Sequence, residues 1–239
     1  MTVQRRTIVY DGPGGPFEGV VAWNDEIPVP RPGVMVIPNV LGQKEFDNVR
    51  AERLAALGYV GFAVDLFGQG KRTTREEPGY ARYIEHLGGD RALLRDRLLS
   101  AHSTLKSLVE VDAARTAAVG FCFGGKSVLD LARAGADVAG VVSFHGVYDA
   151  PPFPNAAITA KILVCHGWED PLCPPDTTVA LAKELTDAGA DWQIHAYGHT
   201  GHAFTDSHLA PTGNGFGWSE SADRRSWKAM ENFLEEVFG

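Results

Sequence analysis

The chain has 239 residues, 44% apolar and 22% charged, which supplies a buried core and leaves too little charge for a disordered chain. Lysine and arginine total 22 against 30 acidic residues, a formal charge of −8. That balance argues against nucleic acid or an anionic membrane surface as a partner, since both require a basic stripe. No apolar run approaches the roughly 18 residues needed to span a bilayer. The opening MTVQRRTIVYDG has two arginines and no signal-peptide core, so a cytoplasmic protein is expected.

Short β-rich runs recur at 3–10, 17–23, 33–38, 59–66, 116–121, 138–144, 160–166 and 192–197. DGPGGP joins the first two as a hairpin-type turn. The later runs are almost continuously apolar, as strands covered on both faces are. Helical spacing predicts helices over 45–58, closed by Gly58, and over 91–110, with Leu93, Leu94, Leu98, Leu99, Leu105 and Leu108 on one broad face. Further helices are expected over 125–135, 175–189 and 222–238. Proline and glycine fall at turns with no long linker, so one domain over 1–239 is expected. The alternation predicts an α/β protein with a mostly parallel eight-stranded sheet and helices on both faces. Catalytic groups in such a fold sit on loops at the carboxyl ends of strands.

One such loop reads Gly120-Phe121-Cys122-Phe123-Gly124, a strand-to-helix turn with a cysteine at its apex. A nucleophile in a tight turn needs small residues two before and two after, so that strand and helix can pass closely. There the helix N-terminus favours a thiolate, and the N–H of Phe123 points at an oxyanion forming on substrate. The bland alternative is a small buried cysteine. Cys122, Cys165 and Cys173 are odd in number and form no C-x-x-C pair, so no disulfide framework is expected.

A cysteine nucleophile needs a base, and the base needs a group to orient it. After AKILVCH comes GWEDPLCPP, where Asp170 is the candidate acid and Glu169 its weaker neighbour. After WQIHAY comes GHTGHAF, where His202 is the better base, ahead of His199 in the loop and His195 in the strand. The order nucleophile, acid, histidine is the one hydrolases with this elbow use. Cys165, His166, Cys173, His199 and His202 lack the compact spacing of a zinc site, so no metal and no cofactor is expected.

With these residues in place the chain resembles the dienelactone hydrolase family of α/β-hydrolases over nearly its whole length. The likeness rests on PNVLGQ (38–43), LAALGYVGFAVDLF (54–67), GFCFGG (120–125), HGWEDPLCP (166–174), YGHTGHAF (197–204) and RRSWKAMENFL (224–234). It implies a triad of Cys122, Asp170 and His202, and an oxyanion hole from the N–H groups of Val40 and Phe123. It also implies hydrolysis of a small-molecule ester or lactone through an acyl-thioester. Two positions depart from the family pattern. Asn39 stands where members carry a glutamate that pairs with the resting thiol, and Asp206 lies where they carry a carboxylate-binding arginine. A neutral ester is therefore expected to suit the site better than an anionic dienelactone. Thiolate leaves readily from a tetrahedral adduct, so lactones and esters with stabilised leaving groups are expected rather than peptides. Asn39, Phe67, Arg82, Trp168 and Phe204 are candidate pocket residues. Arg72, Arg75 and Arg82 read first as a solvated charged face. The second reading is a non-catalytic binding or sensor protein on the same scaffold.

Overall fold

The computed structural model describes residues 2–239. Its strands are β1 (Val3–Tyr10), β2 (Phe17–Asn24), β3 (Arg31–Ile37), β4 (Val60–Ala63), β5 (Val111–Phe121), β6 (Gly140–Phe144), β7 (Lys161–Gly167) and β8 (Trp192–Tyr197). They form an eight-stranded sheet in the order β1-β2-β4-β3-β5-β6-β7-β8. β1 and β2 form the expected antiparallel hairpin, and β2 runs antiparallel to β4. β3 with β4, β6 with β7, and β7 with β8 are parallel. The chain forms two compact units, one ending at Val119 and the other beginning at Gly120.

In the first unit, α1 (Glu45–Ala56), α2 (Arg82–Gly89) and α3 (Arg91–Ser107) accompany β1 to β4. α1 buries Ala51, Leu54 and Ala55 and crosses β4 at Gly61, where an added Cβ would lie 2.6 Å from the Ala51 Cα. α3 buries Leu94, Leu98, Ala101 and Leu105, spaced four, three and four residues apart along one stripe. The face is narrower than the sequence suggests, because Leu99 lies 100° round from Leu98 and stays exposed. His102, on the same helix, meets Thr116 Oγ1 of β5 at 2.9 Å. α2 is absent from the sequence expectation. It has eight residues, ends in two glycines and buries only Leu87, so it is too short for apolar periodicity to mark it.

The second unit holds α4 (Phe123–Arg133), α5 (Pro175–Asp187) and α6 (Glu220–Phe238) with β6 to β8. α6 packs so closely on β6 that a Cβ at Gly140 would lie 2.8 Å from the Phe233 ring. Arg133 of α4 is wholly buried and accounted for, with Nη2 2.7 Å from Glu184 of α5 and 3.1 Å from the Tyr148 carbonyl. α4 starts two residues earlier than predicted, at Phe123, and Cys122 is its N-cap. β5 begins at Val111, five residues before its predicted start, because residues 113–115 pair while exposed and show no apolar run. Among the described residues, no helix is long and apolar enough to cross a membrane.

The close crossing at Gly61 yields a stability test. Gly61→Ala drives a methyl into the α1 backbone, which cannot move aside as a side-chain tip can. We expect a loss of about 2–3 kcal/mol in urea unfolding, whereas Gly88→Ala, in open space on α2, is neutral or stabilising.

Candidate active site

The elbow is strained as its motif requires. Cys122 has φ 55° and ψ −112°, a region disfavoured for any residue with a Cβ. Phe121 ends β5 beneath it, its ring stacked on Phe144 at 4.7 Å. A Cβ on Gly120 would strike the Gly124 carbonyl, the contact that explains the small residue two before the cysteine. One added to Gly125 would lie 2.8 Å from the Gly146 Cα and 2.9 Å from the Phe144 carbonyl. The Cys122 N–H donates to the Phe144 carbonyl at 3.0 Å and to Nδ1 of His145 at 3.1 Å. Phe123 N–H is the first amide of α4, one of those that no intrahelical carbonyl can satisfy.

The candidate acid and base meet within the same unit. Asp170 follows β7, and its N–H donates to the Gly167 carbonyl at 3.1 Å. One carboxylate oxygen accepts from Leu172 N–H at 2.8 Å, and the other lies 2.7 Å from His202 Nδ1. A carboxylate only accepts, so Nδ1 carries a proton and Nε2 is the nitrogen left for chemistry. Asp170 and His202 are both buried. Nε2 is also buried and makes no bond to a nitrogen or oxygen of the described residues. Burial pushes this imidazole down. The Cys122 thiol, as thiolate, and the Asp170 carboxylate outweigh that and hold it up at about 10.

Neighbouring candidates sort themselves by direction. Glu169 turns outward to the exposed His199 at 3.1 Å, although its own N–H donates to the Thr200 carbonyl and ties the acid loop to the base loop. His195 stays on β8 beside Gln193. One contributor escapes the sequence reading, and the glycine-rich 213–218 is legible there only as flexible in composition. His145, directly after β6, has φ 38°, is buried, and sets its ring centroid 5.2 Å from that of His202. Residues 213–218 clasp the base loop. His202 N–H donates to the Gly215 carbonyl at 2.7 Å, Gly217 N–H returns a bond to the His202 carbonyl, and the Phe216 ring lies 5.6 Å from the imidazole. The only available signals were a His-Gly pair at a strand end and a glycine-rich GNGFGW.

The candidate pocket residues fall in both units. Phe204 is a correction. It is fully buried, edge-on to Tyr197 and His145, and so anchors the base loop instead of lining an opening. Trp168 is 44% exposed and edge-on to His166. In the first unit, Asn39 spends its side-chain oxygen on Leu41 N–H at 2.9 Å, in a turn closed by Gly42 N–H on the Asn39 carbonyl. Val40 is the next residue of that turn, and neither of these bonds uses its N–H. Phe67 and Arg82 line a cavity of about 290 Å³ with Lys71, Tyr83, His86 and Arg97. Its arginines are committed. Arg82 pairs with Glu77 and stacks over Tyr83, and Arg97 donates to the Pro13 and Leu66 carbonyls. Arg72 is held by Gln43 and the Glu18 carbonyl.

The model of the dienelactone hydrolase family matches residues 17–238. A dienelactone hydrolase-like promiscuous phosphotriesterase from metagenomic libraries is 35% identical, each chain covering 99% of the other, with a TM-score of 0.91. A Yersinia pestis protein named "Putative carboxymethylenebutenolidase" is 27% identical over 207 residues, 80% of this chain and 75% of that one. MGS-M1, an alpha/beta hydrolase enzyme from a deep-sea metagenome library, is 18% identical at a TM-score of 0.71, covering 99% of this chain and 98% of its own, and shares the fold.

The three thiols differ in a measurable way. Burial pushes Cys165 up to about 12 and Cys173 up to about 11, while Cys122 is part-exposed at a helix N-terminus. Iodoacetamide at pH 7.5 is expected to label Cys122 at least about tenfold faster than either buried thiol. Peptide mapping by mass spectrometry checks this, and equal labelling would contradict the assignment.

Proposed function

The chain belongs to the dienelactone hydrolase family and is a hydrolase of esters or lactones, and we propose that it works through a covalent thioester on Cys122. The observation carrying this reading is the 2.7 Å Asp170–His202 contact. It fixes the imidazole tautomer and leaves a buried Nε2 under the influence of the thiol.

At rest the pair is thiolate and imidazolium. Cys122 Sγ attacks the substrate carbonyl carbon, and the carbonyl electrons move onto oxygen. The Phe123 N–H meets that oxyanion, and the family resemblance adds the N–H of Val40. The adduct collapses, the C–O bond of the leaving group breaks, and His202 Nε2–H protonates the departing alkoxide. The thiolate has now become a thioester sulfur, so the charge that held the proton on His202 is gone. Burial then lowers the imidazole, which becomes a base for the attacking water. Hydroxide adds to the thioester, the thiolate leaves, and the acid product is released with the resting pair restored.

Substrate charge follows from the two departures from the family pattern, Asn39 and Asp206. Asn39 is no carboxylate, and Asp206 Oδ1 is occupied by His208 N–H in a local turn. A neutral acyl group suits this setting. Cys122→Ala is expected to lower kcat/KM on a neutral aryl ester by about a thousandfold or more, and Asp170→Asn by about a hundredfold or more. Wild-type enzyme is expected to turn over the aryl ester faster than a carboxylated lactone. Full activity in Cys122→Ala would sink the mechanism, and the opposite substrate order would sink the inference about charge.

The raised His202 also sets a pH profile. Its charged form adds stability that is complete below the ordinary 6.5 and disappears as pH rises through about 10. The acid that protonates the leaving group is lost over the same range. We expect kcat/KM for the aryl ester to hold a plateau from about pH 7 to 9 and to fall as pH passes about 10. A profile that falls through pH 7 would contradict the ion pair.

A further inference from the structure

We propose that His145 is a positioning residue, a neutral imidazole protonated on Nε2 that holds the backbone of Cys122 in its strained conformation and ties it to the loop carrying His202. This rests on the reading of Cys122 as nucleophile and goes beyond it by assigning a fourth side chain to the site.

The tautomer follows from what each partner is able to do. The Cys122 N–H only donates, so His145 Nδ1, 3.1 Å away, accepts and bears no proton. In a neutral ring the proton is then on Nε2, which lies 2.8 Å from Thr205 Oγ1 and donates to it. A doubly protonated ring would set N–H against N–H at the elbow. It would also add a second cation 5.2 Å, centroid to centroid, from the His202 imidazolium. The titratable groups facing His145 are Cys122 on the elbow and His202 on the base loop, with Asp170 behind the latter. Phe121 and Phe204 complete its aromatic surroundings.

The backbone of His145 is pinned as firmly as its ring. Its own N–H donates to the Cys165 carbonyl of β7 at 2.9 Å, and it keeps φ 38° although it is no glycine. A left-handed residue with a Cβ is costly and persists only where its surroundings over-determine it. Here the over-determination has a direction. One ring nitrogen reaches the nucleophile's peptide, the other reaches Thr205, three residues past His202, and the chain between them is anchored on β7. The two strained residues, Cys122 and His145, hold each other through this bond. The distance from thiol to base is thereby referred to one imidazole instead of to two independent loops.

Three substitutions separate this role from simple packing. His145→Phe keeps an aromatic ring and removes both bonds. His145→Asn places an amide oxygen near the Nδ1 position and tolerates positive φ. Thr205→Val leaves the imidazole and removes the acceptor of its Nε2–H. Two readouts are used: the iodoacetamide rate at Cys122 as a function of pH, and kcat and KM on the neutral aryl ester. In His145→Phe, alkylation at pH 7 and kcat are each expected to drop about tenfold, with KM changed less than about threefold. His145→Asn is expected to recover both to within about threefold of wild type, and Thr205→Val to fall between. Equal losses in the Phe and Asn variants, or wild-type alkylation in His145→Phe, would overturn the proposal. If His145→Phe does not fold, a wild-type pH profile in Thr205→Val overturns it instead. Alkylation reads the thiol without turning over an ester. A wild-type protein that labels but hydrolyses nothing would therefore count against the hydrolase reading alone.

Discussion

Cys122 stands in a backbone conformation that costs a side-chain-bearing residue of order 1–3 kcal/mol, and the site is arranged around keeping it there. The strain is what lifts the thiol out of the line of β5 and onto the N-terminus of α4. The cost is tolerable because the backbone crossings around it are free of Cβ atoms. Gly120 faces Gly124, and Gly125 faces Gly146 after β6. Fill any of these and the strand, the helix and the turn after β6 must separate. The same closeness brings the Phe144 carbonyl and the His145 ring within reach of the Cys122 N–H. The glycines and the hydrogen bonds are thus two aspects of one constraint.

Around that turn, electrostatics separates groups that composition treats as alike. Asp170 and Glu169 are adjacent carboxylates. One is buried with its oxygens met by Leu172 N–H and His202, and the other faces solvent beside an exposed histidine. Three cysteines likewise divide. At Cys165 and Cys173 burial outweighs the hydrogen bonds that would favour a charge, from Tyr197 to the first and from Thr177 and the Tyr148 backbone to the second, and keeps them as thiols. Cys122 has the His202 imidazole as a neighbour, whose pKa it raises, and a helix N-terminus. His166 shows the same logic in reverse. It is wholly buried between Tyr148 and Thr178, and burial, outweighing Asp170, lowers its affinity for a proton. It acts as a neutral strut.

Much of this was legible along the chain because apolar periodicity reports burial directly. The strands at 3–10 and 192–197 fall where alternation and apolar runs place them, and the helices at 45–56 and 175–187 end close to their glycines. Legibility failed where burial and element type part company. β5 carries an exposed polar segment before its core, and α2 has a single buried residue. Phe204 reads along the chain both as an anchor of its loop and as a pocket aromatic, and its burial selects the anchor. Its placement in the core depends on Tyr197 and His145, neither of which its own neighbours in sequence reveal.

By itself, the sequence determined the elbow, the order of the three candidate residues and the loops that carry them. Each of these is written in local spacing: a G-x-C-x-G at a strand-to-helix junction, and an acid and a histidine just past later strands. The tertiary structure alone decided which way side chains on those loops point. It turned Asp170 inward and Glu169 outward, closed residues 213–218 over the His202 loop, and set His145 against the Cys122 peptide. The physical reason is that direction on a loop is fixed by hydrogen bonds to partners distant in sequence. Here a histidine at 145 finds its two partners at 122 and 205 only once β5, β6 and β7 have brought them together.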